Sequence, residues 1–319
     1  MHPAQVIYSK ILSAQRILII THYNPDGDAL SSLSVFSAIL HSLAKDFQAY
    51  CRTPLNSSHQ YLPHLQSVAS AMTASDFANF DVIISLDCGS VARTGIAELI
   101  MTRSANQFFI EIDHHPQMEN LSDLAYRPTG VSATTELLFN FCQINHIAIS
   151  ELMAKGILTG LTSDTGGFIY PSTTHDTMLA ATQMLWRGAR LPSVISQVLY
   201  SQSLTALRLW GLALSRLTIN TTHQIAYTVL TYQDFADYQG TEAMTDDLAG
   251  WLVCLADVRA VLFLKQSQPG LIKGSWRTAH DGVDVSLLAQ LMGGGGHAKA
   301  AGFACSGNLS QETGCWQIN

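Results

Sequence analysis

A histidine and two aspartates follow the first strongly apolar run of this chain. His22, Asp26 and Asp28 come directly after residues 17–20, and a single glycine separates the two carboxylates. Carboxylate oxygens combined with an imidazole nitrogen suit Mn²⁺ or a similar first-row cation better than Ca²⁺, which prefers oxygen ligands alone. The glycine permits a tight turn from which the two carboxylates can face two different ions. The residues leave one alternative open, a turn whose polar side chains only cap a helix that starts near Ala29.

Three further polar groups lie at or near the ends of apolar segments. They are Asp87, the triplet Asp113-His114-His115, and Asp164. Each group taken alone could be an ordinary helix cap, a solvent-exposed histidine pair or a loop carboxylate. The carboxyl ends of parallel strands meet at one edge of an open sheet, where such sheets bind ligands. Four such groups in succession therefore predict a multi-metal site at that edge.

Short apolar runs alternate with longer, helix-compatible segments in the first half of the chain. We predict strands over 16–21, 47–51, 81–86 and 107–112, and helices over 29–45, 91–102, 132–146, 151–162 and 175–187. This alternation predicts an α/β fold with an N-terminal, mainly parallel sheet flanked by helices. We place this first domain at residues 1–188.

The pattern changes after residue 188. Two helical stretches with no strand between them, over 192–200 and 203–216, predict a helical linker at residues 189–216. The remainder predicts a smaller α/β C-terminal domain over 217–319. Its predicted elements are a hairpin (217–220 and 224–231), a helix (245–255), two strands (258–265 and 271–276), a helix (285–292) and a last strand (300–305).

The C-terminal domain carries a second candidate site. Four glycines over 293–296, followed by His297, predict a loop whose backbone amides lie open to a phosphate or a sugar. Arg277, at the end of a predicted strand, could add a fork-shaped phosphate contact. A flexible hinge and a solvated strand-end arginine are the alternatives that these residues leave open.

Composition restricts the class of protein. With 319 residues, 47% of them hydrophobic and 13% charged, the chain is long and apolar enough for two packed domains. A formal net charge of -7 argues against a broad basic face for long nucleic acid, but a short anionic substrate held locally is compatible with it. The six scattered cysteines indicate reduced thiols. No apolar run approaches the ~20 residues of a membrane span and the N-terminus lacks a signal-peptide layout, so we expect a cytoplasmic protein without membrane association.

Taken together, these motifs resemble the DHH phosphoesterase superfamily. The matching parts are the His-x-x-Pro-Asp-Gly-Asp segment over 22–28, Asp87, Asp113-His114-His115, and Asp164 before Thr165-Gly166. The Gly-Gly-Gly-His-x-x-Ala-Ala-Gly segment over 294–302 resembles the C-terminal substrate domain of the NrnA-like subgroup of nanoRNases and pAp phosphatases. The resemblance covers nearly the whole chain. Ser31, and Trp276-Arg277-Thr278 in place of Leu-Arg-Ser, depart from the family pattern, which bears on substrate preference rather than on activity.

The resemblance implies a role for each matching residue. The first divalent cation would be held by His22, Asp26 and Asp87. The second would be held by Asp28, Asp87, His114 and Asp164, with Asp87 bridging the two. His115 would face the scissile phosphate and act in catalysis together with Asp87 and His114. Arg277, Gly295, Gly296 and His297 would bind the substrate.

The resemblance also implies the reaction. It implies two-metal hydrolysis of phosphoesters in short oligoribonucleotides (nanoRNA, pApA) or in 3′-phosphoadenosine 5′-phosphate, with Mn²⁺ as the expected cation and Mg²⁺ or Co²⁺ as alternatives. The other functions that we consider are an exopolyphosphatase or pyrophosphatase-type hydrolase and a non-catalytic nucleotide sensor on the same fold. The expected partners are short RNA or a mononucleotide, not long nucleic acid or a membrane. Paired subunits are common in the family, so we expect a homodimer.

Overall fold

The chain divides into two compact units, Met1–Tyr200 and Ser201–Asn319. The computed structural model describes residues 2–55, 61–116, 120–198, 203–312 and 315–319. It has a parallel N-terminal sheet with helices, a helical middle and a mixed C-terminal sheet. The predicted fold class is therefore confirmed.

A five-stranded parallel sheet forms the centre of the first unit. Its strands are β1 (Arg16–Ile20), β2 (Asp46–Tyr50), β3 (Val82–Leu86), β4 (Phe108–Ile112) and β5 (Leu124–Tyr126), in the spatial order β2-β1-β3-β4-β5. Every neighbouring pair is parallel. All five strands therefore end at the same edge of the sheet.

Helices cover both faces of this sheet. They are α1 (Pro3–Ser13), α2 (Gly27–Ser42), α3 (Ala74–Phe77), α4 (Ala97–Met101), α5 (Thr134–Ile144), α6 (Glu151–Asp164), α7 (His175–Trp186) and α8 (Leu191–Val198). Successive strand residues point to opposite faces. Ile17 and Ile19 accordingly pack in the core with α1, α2, α5 and α6, while Leu18 and Ile20 pack with α3 and α4. Burial on both faces explains why the central strands β1 and β3 are almost entirely apolar, whereas the edge strand β2 carries Asp46 and Gln48.

The strand order creates a topological switch point between β1 and β3. The chain moves from β1 outward to β2 and then returns to β3 on the other side of β1. Loops that leave neighbouring strands in opposite directions open a crevice at the carboxyl edge, where such sheets bind ligands. The segments that begin with Thr21 and with Asp87 follow these two strands and border that crevice.

The second unit is built on a six-stranded mixed sheet of order β10-β11-β9-β8-β7-β6. Only β7 and β8 are parallel. The strands are β6 (Thr218–Asn220), β7 (Ile225–Leu230), β8 (Ala260–Gln268), β9 (Leu271–Arg277), β10 (Gly295–His297) and β11 (Ala300–Ser306), with a separate hairpin of β12 (Leu309–Glu312) and β13 (Cys315–Ile318). The helices are α9 (Leu204–Ser215), α10 (Tyr232–Asp237), α11 (Leu248–Trp251) and α12 (Val285–Leu291).

The residues predicted as a linker, 189–216, contribute a helix to each unit. Val194 of α8 packs in the core of the first unit. Leu209 and Ala213 of α9 pack with Ala226 in the core of the second. Residues 199–202, inside the predicted linker, lie outside the described residues.

Three predicted elements differ in detail. The helix predicted over 91–102 is a 3-10 turn, Val91–Thr94, followed by α4, because Gly95 is left-handed with φ +74°. The helix predicted over 245–255 is α11 between two 3-10 turns. The predicted glycine loop is wrong for Gly295–His297, which is strand β10 paired with β11. A Cβ at Gly294 would overlap the Gly302 carbonyl oxygen, so glycine is needed there for backbone approach.

Within the described part of the chain, no helix has the length and apolar character needed to cross a bilayer.

Candidate metal centre

His22 follows β1 and has only 2% of its surface exposed. Its Nδ1 lies 2.8 Å from the Tyr23 carbonyl oxygen. A carbonyl can only accept, so Nδ1 carries a proton, and in the form that binds a metal the lone pair is on Nε2. That Nε2 is buried and has no hydrogen-bond partner among the described residues. Orientation of an imidazole by a hydrogen bond at its other nitrogen is typical of a metal ligand.

Asp26 uses its two carboxylate oxygens differently. Oδ1 accepts a hydrogen bond from Ala29 N at 3.0 Å and so caps α2. Oδ2 lies 3.7 Å from His22 Nε2. The capping and metal-binding interpretations of this turn are therefore compatible, because each uses a different oxygen.

Gly27 was predicted to permit a tight turn, but the structure gives a different reason for a glycine at this position. Its φ is not positive, so the turn does not need a left-handed residue there. A Cβ at Gly27 would lie 2.5 Å from Ser163 Oγ in α6. The glycine therefore allows the end of α6, which carries Asp164, to approach the start of α2.

Asp28 is fully buried and is held by the N-terminus of α5. Its Oδ2 accepts a hydrogen bond from Thr134 N at 2.6 Å. Its Oδ1 accepts two, from Thr135 N at 3.1 Å and from Thr135 Oγ1 at 2.6 Å. The first amides of a helix have no partner within the helix and favour negative charge. The helix end therefore stabilises the ionised carboxylate and fixes its orientation.

Asp87 follows β3 in a left-handed conformation, with φ +58°. Such a φ is uncommon outside glycine, although aspartate and asparagine adopt it more readily than most residues. Its Oδ1 accepts a hydrogen bond from Thr134 Oγ1 at 2.9 Å, and only 1% of the residue is exposed. The turn thus directs a buried carboxylate toward the crevice between β1 and β3.

His114 lies between two carboxylates. Its Nε2 is 3.5 Å from Asp87 Oδ1 and 3.3 Å from Asp164 Oδ2. Asp164 is the last residue of α6, which extends two residues beyond the helix predicted over 151–162. A carboxylate is unfavourable at a helix C-terminus unless a cation lies nearby.

His115 is oriented by Asp113. Its Nδ1 lies 2.8 Å from Asp113 Oδ1, and Asp113 Oδ2 accepts a hydrogen bond from Gly89 N at 2.6 Å. Arg127 Nη2 lies 3.4 Å from Asp113 Oδ2 and 2.9 Å from Glu111 Oε1. The side chain of His115 remains 32% exposed. The ring is therefore held firmly while one part of it faces solvent.

The predicted residues form three overlapping groups. Within each group, one ligand atom per residue lies within 4.8 Å of the others. The groups are His22, Asp26 and Asp87; Asp28, His114 and Asp164; and Asp87, His114 and His115. Asp87 is shared by the first and third groups, and His114 by the second and third.

Burial and neighbouring charges change the pKa values of these carboxylates. Burial raises the pKa of Asp28 from 3.8 to about 6; hydrogen bonds from Thr135 and Thr134 oppose the rise, and the charge of Asp26 adds to it. Burial, followed by the charges of neighbouring aspartates, also raises the pKa values of Asp87 and Asp164 well above their usual range. Burial alone would raise the pKa of Asp113 too, but the hydrogen bond and charge of His115 hold it below its usual value.

These observations fit a site for divalent cations. Several buried carboxylates repel one another, and buried charges in proteins are normally paired or bound to a metal. The Nε2 lone pair of His22 faces this acidic group without a hydrogen bond. Carboxylate oxygens and imidazole nitrogens together match first-row divalent cations.

The C-terminal candidates lie on one face of the second sheet. Across three strands, Arg277 pairs with Ala300, and Ala300 pairs with His297. Directly paired residues point to the same face, so Arg277 and His297 lie two strands apart on it. Arg277 Nη1 donates hydrogen bonds to the carbonyls of Trp276 at 2.8 Å and Ala301 at 3.5 Å. A Cβ at Gly295 would meet nothing within 4 Å, whereas at Gly296, where φ is +143°, it would lie 2.6 Å from Ala300 O.

Several residues that shape the metal centre were missed by sequence analysis. Thr134 and Thr135 bind the carboxylates of Asp28 and Asp87, and Arg127 fixes Asp113. The only sequence signal for the threonines is their position at the start of a predicted helix, where side chains commonly bind free amides or anions. Nothing in the sequence around Arg127 indicates its partners.

Known proteins resemble this chain in sequence and fold. The DHH family, N-terminal domain, matches residues 16–163. The bifunctional oligoribonuclease and PAP phosphatase NrnA of Thermus thermophilus is 25% identical over 91% of this chain and 84% of its own length. The protein of the same name from Bacillus subtilis is 23% identical over 90% of this chain and 88% of its own length. A crystal structure of an exopolyphosphatase-related protein from Bacteroides fragilis has a TM-score of 0.82 at 23% identity, covering 94% of this chain and 90% of that one.

The matched residues 16–163 include β1, β3 and β4 and most of the ligand groups that follow them. Only Asp164 lies just beyond the match. The parallel sheet, the aspartate- and histidine-rich crevice and this match agree with one another. The first unit therefore carries the N-terminal domain of the DHH family of phosphoesterases.

Proposed function

We propose that this chain hydrolyses phosphoester bonds in short oligoribonucleotides, such as nanoRNA or pApA, or in 3′-phosphoadenosine 5′-phosphate. The observation that supports the proposal most is the position of Asp87. Its carboxylate lies within 4.8 Å of a ring nitrogen of His22 and of a ring nitrogen of His114. A buried carboxylate in that position suits a bridge between two cations. The NrnA relatives from two bacteria, similar over about nine-tenths of this chain, support short nucleotides as the substrate class.

In this proposal, His22, Asp26 and Asp87 hold one divalent cation, and Asp28, Asp87, His114 and Asp164 hold the other. Mn²⁺ is the first choice because the ligands combine imidazole with carboxylate. When bound, such a pair of cations supplies positive charge at the phosphoryl oxygens and acidifies a water molecule.

The protein's own groups prepare the site for this reaction. The N-terminus of α5 orients Asp28 and favours its ionised form, and Asp113 holds the ring of His115 with a proton on Nδ1. When Nε2 also carries a proton, the partly exposed ring donates a hydrogen bond from it to a phosphoryl oxygen. Fixed donors of this kind stabilise developing charge without reorganising during the reaction. Arg277, Gly295, Gly296 and His297 bind the remote part of the substrate, which positions the reacting phosphate.

The test is a side-by-side assay with Mn²⁺ of RNA of about two to five nucleotides, pApA, 3′-phosphoadenosine 5′-phosphate and inorganic polyphosphate. Asp87→Asn is the informative variant, because asparagine tolerates the left-handed φ and can still accept the hydrogen bond from Thr134. We expect nucleotide hydrolysis by the wild type and its loss in this variant. The matched control is Asp46→Asn, an exposed carboxylate paired only with Arg16 among the described residues, which should keep full activity.

Three outcomes would contradict the proposal. Turnover retained by Asp87→Asn would show that the shared carboxylate is not needed. Hydrolysis of polyphosphate or pyrophosphate in preference to every nucleotide would favour the exopolyphosphatase or pyrophosphatase alternative. A protein that binds nucleotides with Mn²⁺ but hydrolyses none would indicate a sensor.

A further inference from the structure

Arg93 lies beside the metal centre in the 3-10 turn Val91–Thr94 that follows β3. Its backbone carbonyl accepts a hydrogen bond from Tyr23 N at 2.9 Å. Tyr23 is the neighbour of His22, so this bond ties the turn to the segment that carries three of the candidate ligands. The arginine is partly buried. Its backbone position is therefore fixed relative to the metal centre.

The guanidinium of Arg93 reaches over Gly89 toward His115. A Cβ built on Gly89 would lie 3.2 Å from Arg93 Nη1 and 3.8 Å from His115 Cγ. The two side chains thus flank one point in space, which the missing side chain of Gly89 leaves open. Gly89 has φ +70°, and its amide donates to Asp113, the partner of His115. One turn therefore positions both the arginine and the histidine.

Arg127, a second arginine near this site, has a structural role. Arg127 bonds to Glu111 at 2.9 Å and to the His115 carbonyl at 3.1 Å, and it lies 3.4 Å from Asp113. By contrast, the side chain of Arg93 makes no hydrogen bond or ion pair with any described residue. The charge of Arg93 acts on Asp26 at longer range and lowers its pKa. A guanidinium that is positioned by its backbone and has no hydrogen-bond or ion-pair partner in the described part of the protein is suited to binding an external anion.

We propose that Arg93 binds the phosphoryl group that is hydrolysed, opposite His115. This inference rests on the proposed function. A guanidinium presents N–H donors in a planar fork that matches two oxygens of a phosphate. Its charge adds to that of the cations at oxygens that become more negative in the transition state. Arg93 is then a catalytic residue that none of the motifs includes.

The test compares Arg93→Gln and Arg93→Lys with the wild type. The hydrogen bond to Tyr23 uses the Arg93 carbonyl, so both variants keep it. Arg103→Gln is the control, because Arg103 precedes β4 at the opposite edge of the sheet and binds Asp123. Three quantities are measured: the affinity for Mn²⁺, the affinity of the Mn²⁺-loaded protein for inorganic phosphate, and kcat/KM for short RNA and 3′-phosphoadenosine 5′-phosphate.

We expect Arg93→Gln to keep its Mn²⁺ affinity and to lose phosphate affinity by about 10- to 100-fold, the range for a hydrogen-bonded charge pair. We expect kcat/KM to fall by at least as much, mainly through kcat. Arg93→Lys should recover part of the phosphate affinity, since it keeps the charge without the fork, and Arg103→Gln should change none of the three quantities.

The outcomes separate this inference from the proposed function. Wild-type hydrolysis with Arg93→Gln within threefold of it would overturn the role of Arg93 and leave the function standing. Phosphate binding that depends on Arg93 without hydrolysis of any nucleotide would overturn the function and support the arginine. A wild-type protein that neither binds phosphate nor hydrolyses nucleotides would refute both.

Discussion

Replacing Thr135 by valine should weaken metal binding without disturbing the fold. The Thr135 hydroxyl donates a 2.6 Å hydrogen bond to Asp28 Oδ1, and both residues are fully buried. Valine keeps the branched shape and removes only the donor. The backbone amides of Thr134 and Thr135 still bind the carboxylate, so the helix end stays in place.

The size of the effect follows from the charge on the acceptor. A hydrogen bond to a charged group contributes about 1.5–3 kcal/mol, and about 1.4 kcal/mol corresponds to a tenfold change in affinity. We therefore expect the cation held by Asp28 to bind about 10- to 100-fold more weakly. Loss of the donor also raises the pKa of Asp28 above its present value of about 6, so protons compete more strongly with the metal at neutral pH.

Titration calorimetry with Mn²⁺ at several pH values measures this effect. The difference between wild type and Thr135→Val should narrow from about pH 6 to pH 8, as the proton leaves Asp28 in both proteins. Thr159→Val is the matched control, because the buried Thr159 hydroxyl donates only to the Lys155 carbonyl of its own helix. A Thr135→Val affinity within twofold of wild type at all pH values would refute the view that α5 prepares Asp28 for metal.

Three other predictions concern the buried charges and close packing of the first unit, one of them with a control in the second. In the metal-free protein, the raised pKa of Asp28 contributes about 3 kcal/mol of stability that is present below pH 3.8 and lost as the pH rises through about 6. The raised pKa values of Asp87 and Asp164 act in the same direction. The stabilisation by saturating Mn²⁺, measured by denaturant unfolding, should therefore grow by at least about 3 kcal/mol from pH 4 to 7, and a flat profile would contradict it. Gly160→Ala should abolish Mn²⁺ binding, because a Cβ there would overlap Asp28 Oδ1 and Thr135 Oγ1. The control is Gly211→Ala in α9, where a Cβ would meet no atom within 4 Å; this change should raise the free energy of unfolding by about 0.5–1 kcal/mol. Arg127→Met should leave the charge of Glu111 buried and lower stability by about 3–5 kcal/mol, seen as a fall in Tm of about 10 °C; an unchanged Tm would show that the pair is dispensable.

Sequence patterns predicted the parallel sheet because its strands are buried on both faces. Short, continuous apolar runs such as Val82–Leu86 are typical of such strands, and polar residues that follow several of them in turn indicate a shared edge. Two missed elements differ in cause. Strand β5 has three residues, too few to produce a periodic signal. Helix α1 has 11 residues and buries Ala4, Ile7 and Ile11 at helical spacing, a signal that sequence analysis overlooked.

The sequence predicted the candidate metal ligands because each of them lies in or beside a motif that can be recognised locally. Hydrogen bonds between residues far apart in the chain could not be predicted, and Thr134 binds Asp28 across 106 positions. The left-handed conformation of Asp87 and the reason for Gly27 likewise depend on packing between elements. Predictions about paired subunits and about the substrate contacts of Arg277 and His297 stay predictions.

In the proposed function, Asp87 lies between two cations in the crevice of the parallel sheet. Crystals of the protein grown with Mn²⁺ would test it through an anomalous difference map recorded at the manganese absorption edge. We expect two peaks, one beside His22 and Asp26 and the other beside Asp28, His114 and Asp164, with Asp87 contacting both. A single peak, or two peaks of which only one contacts Asp87, would contradict it.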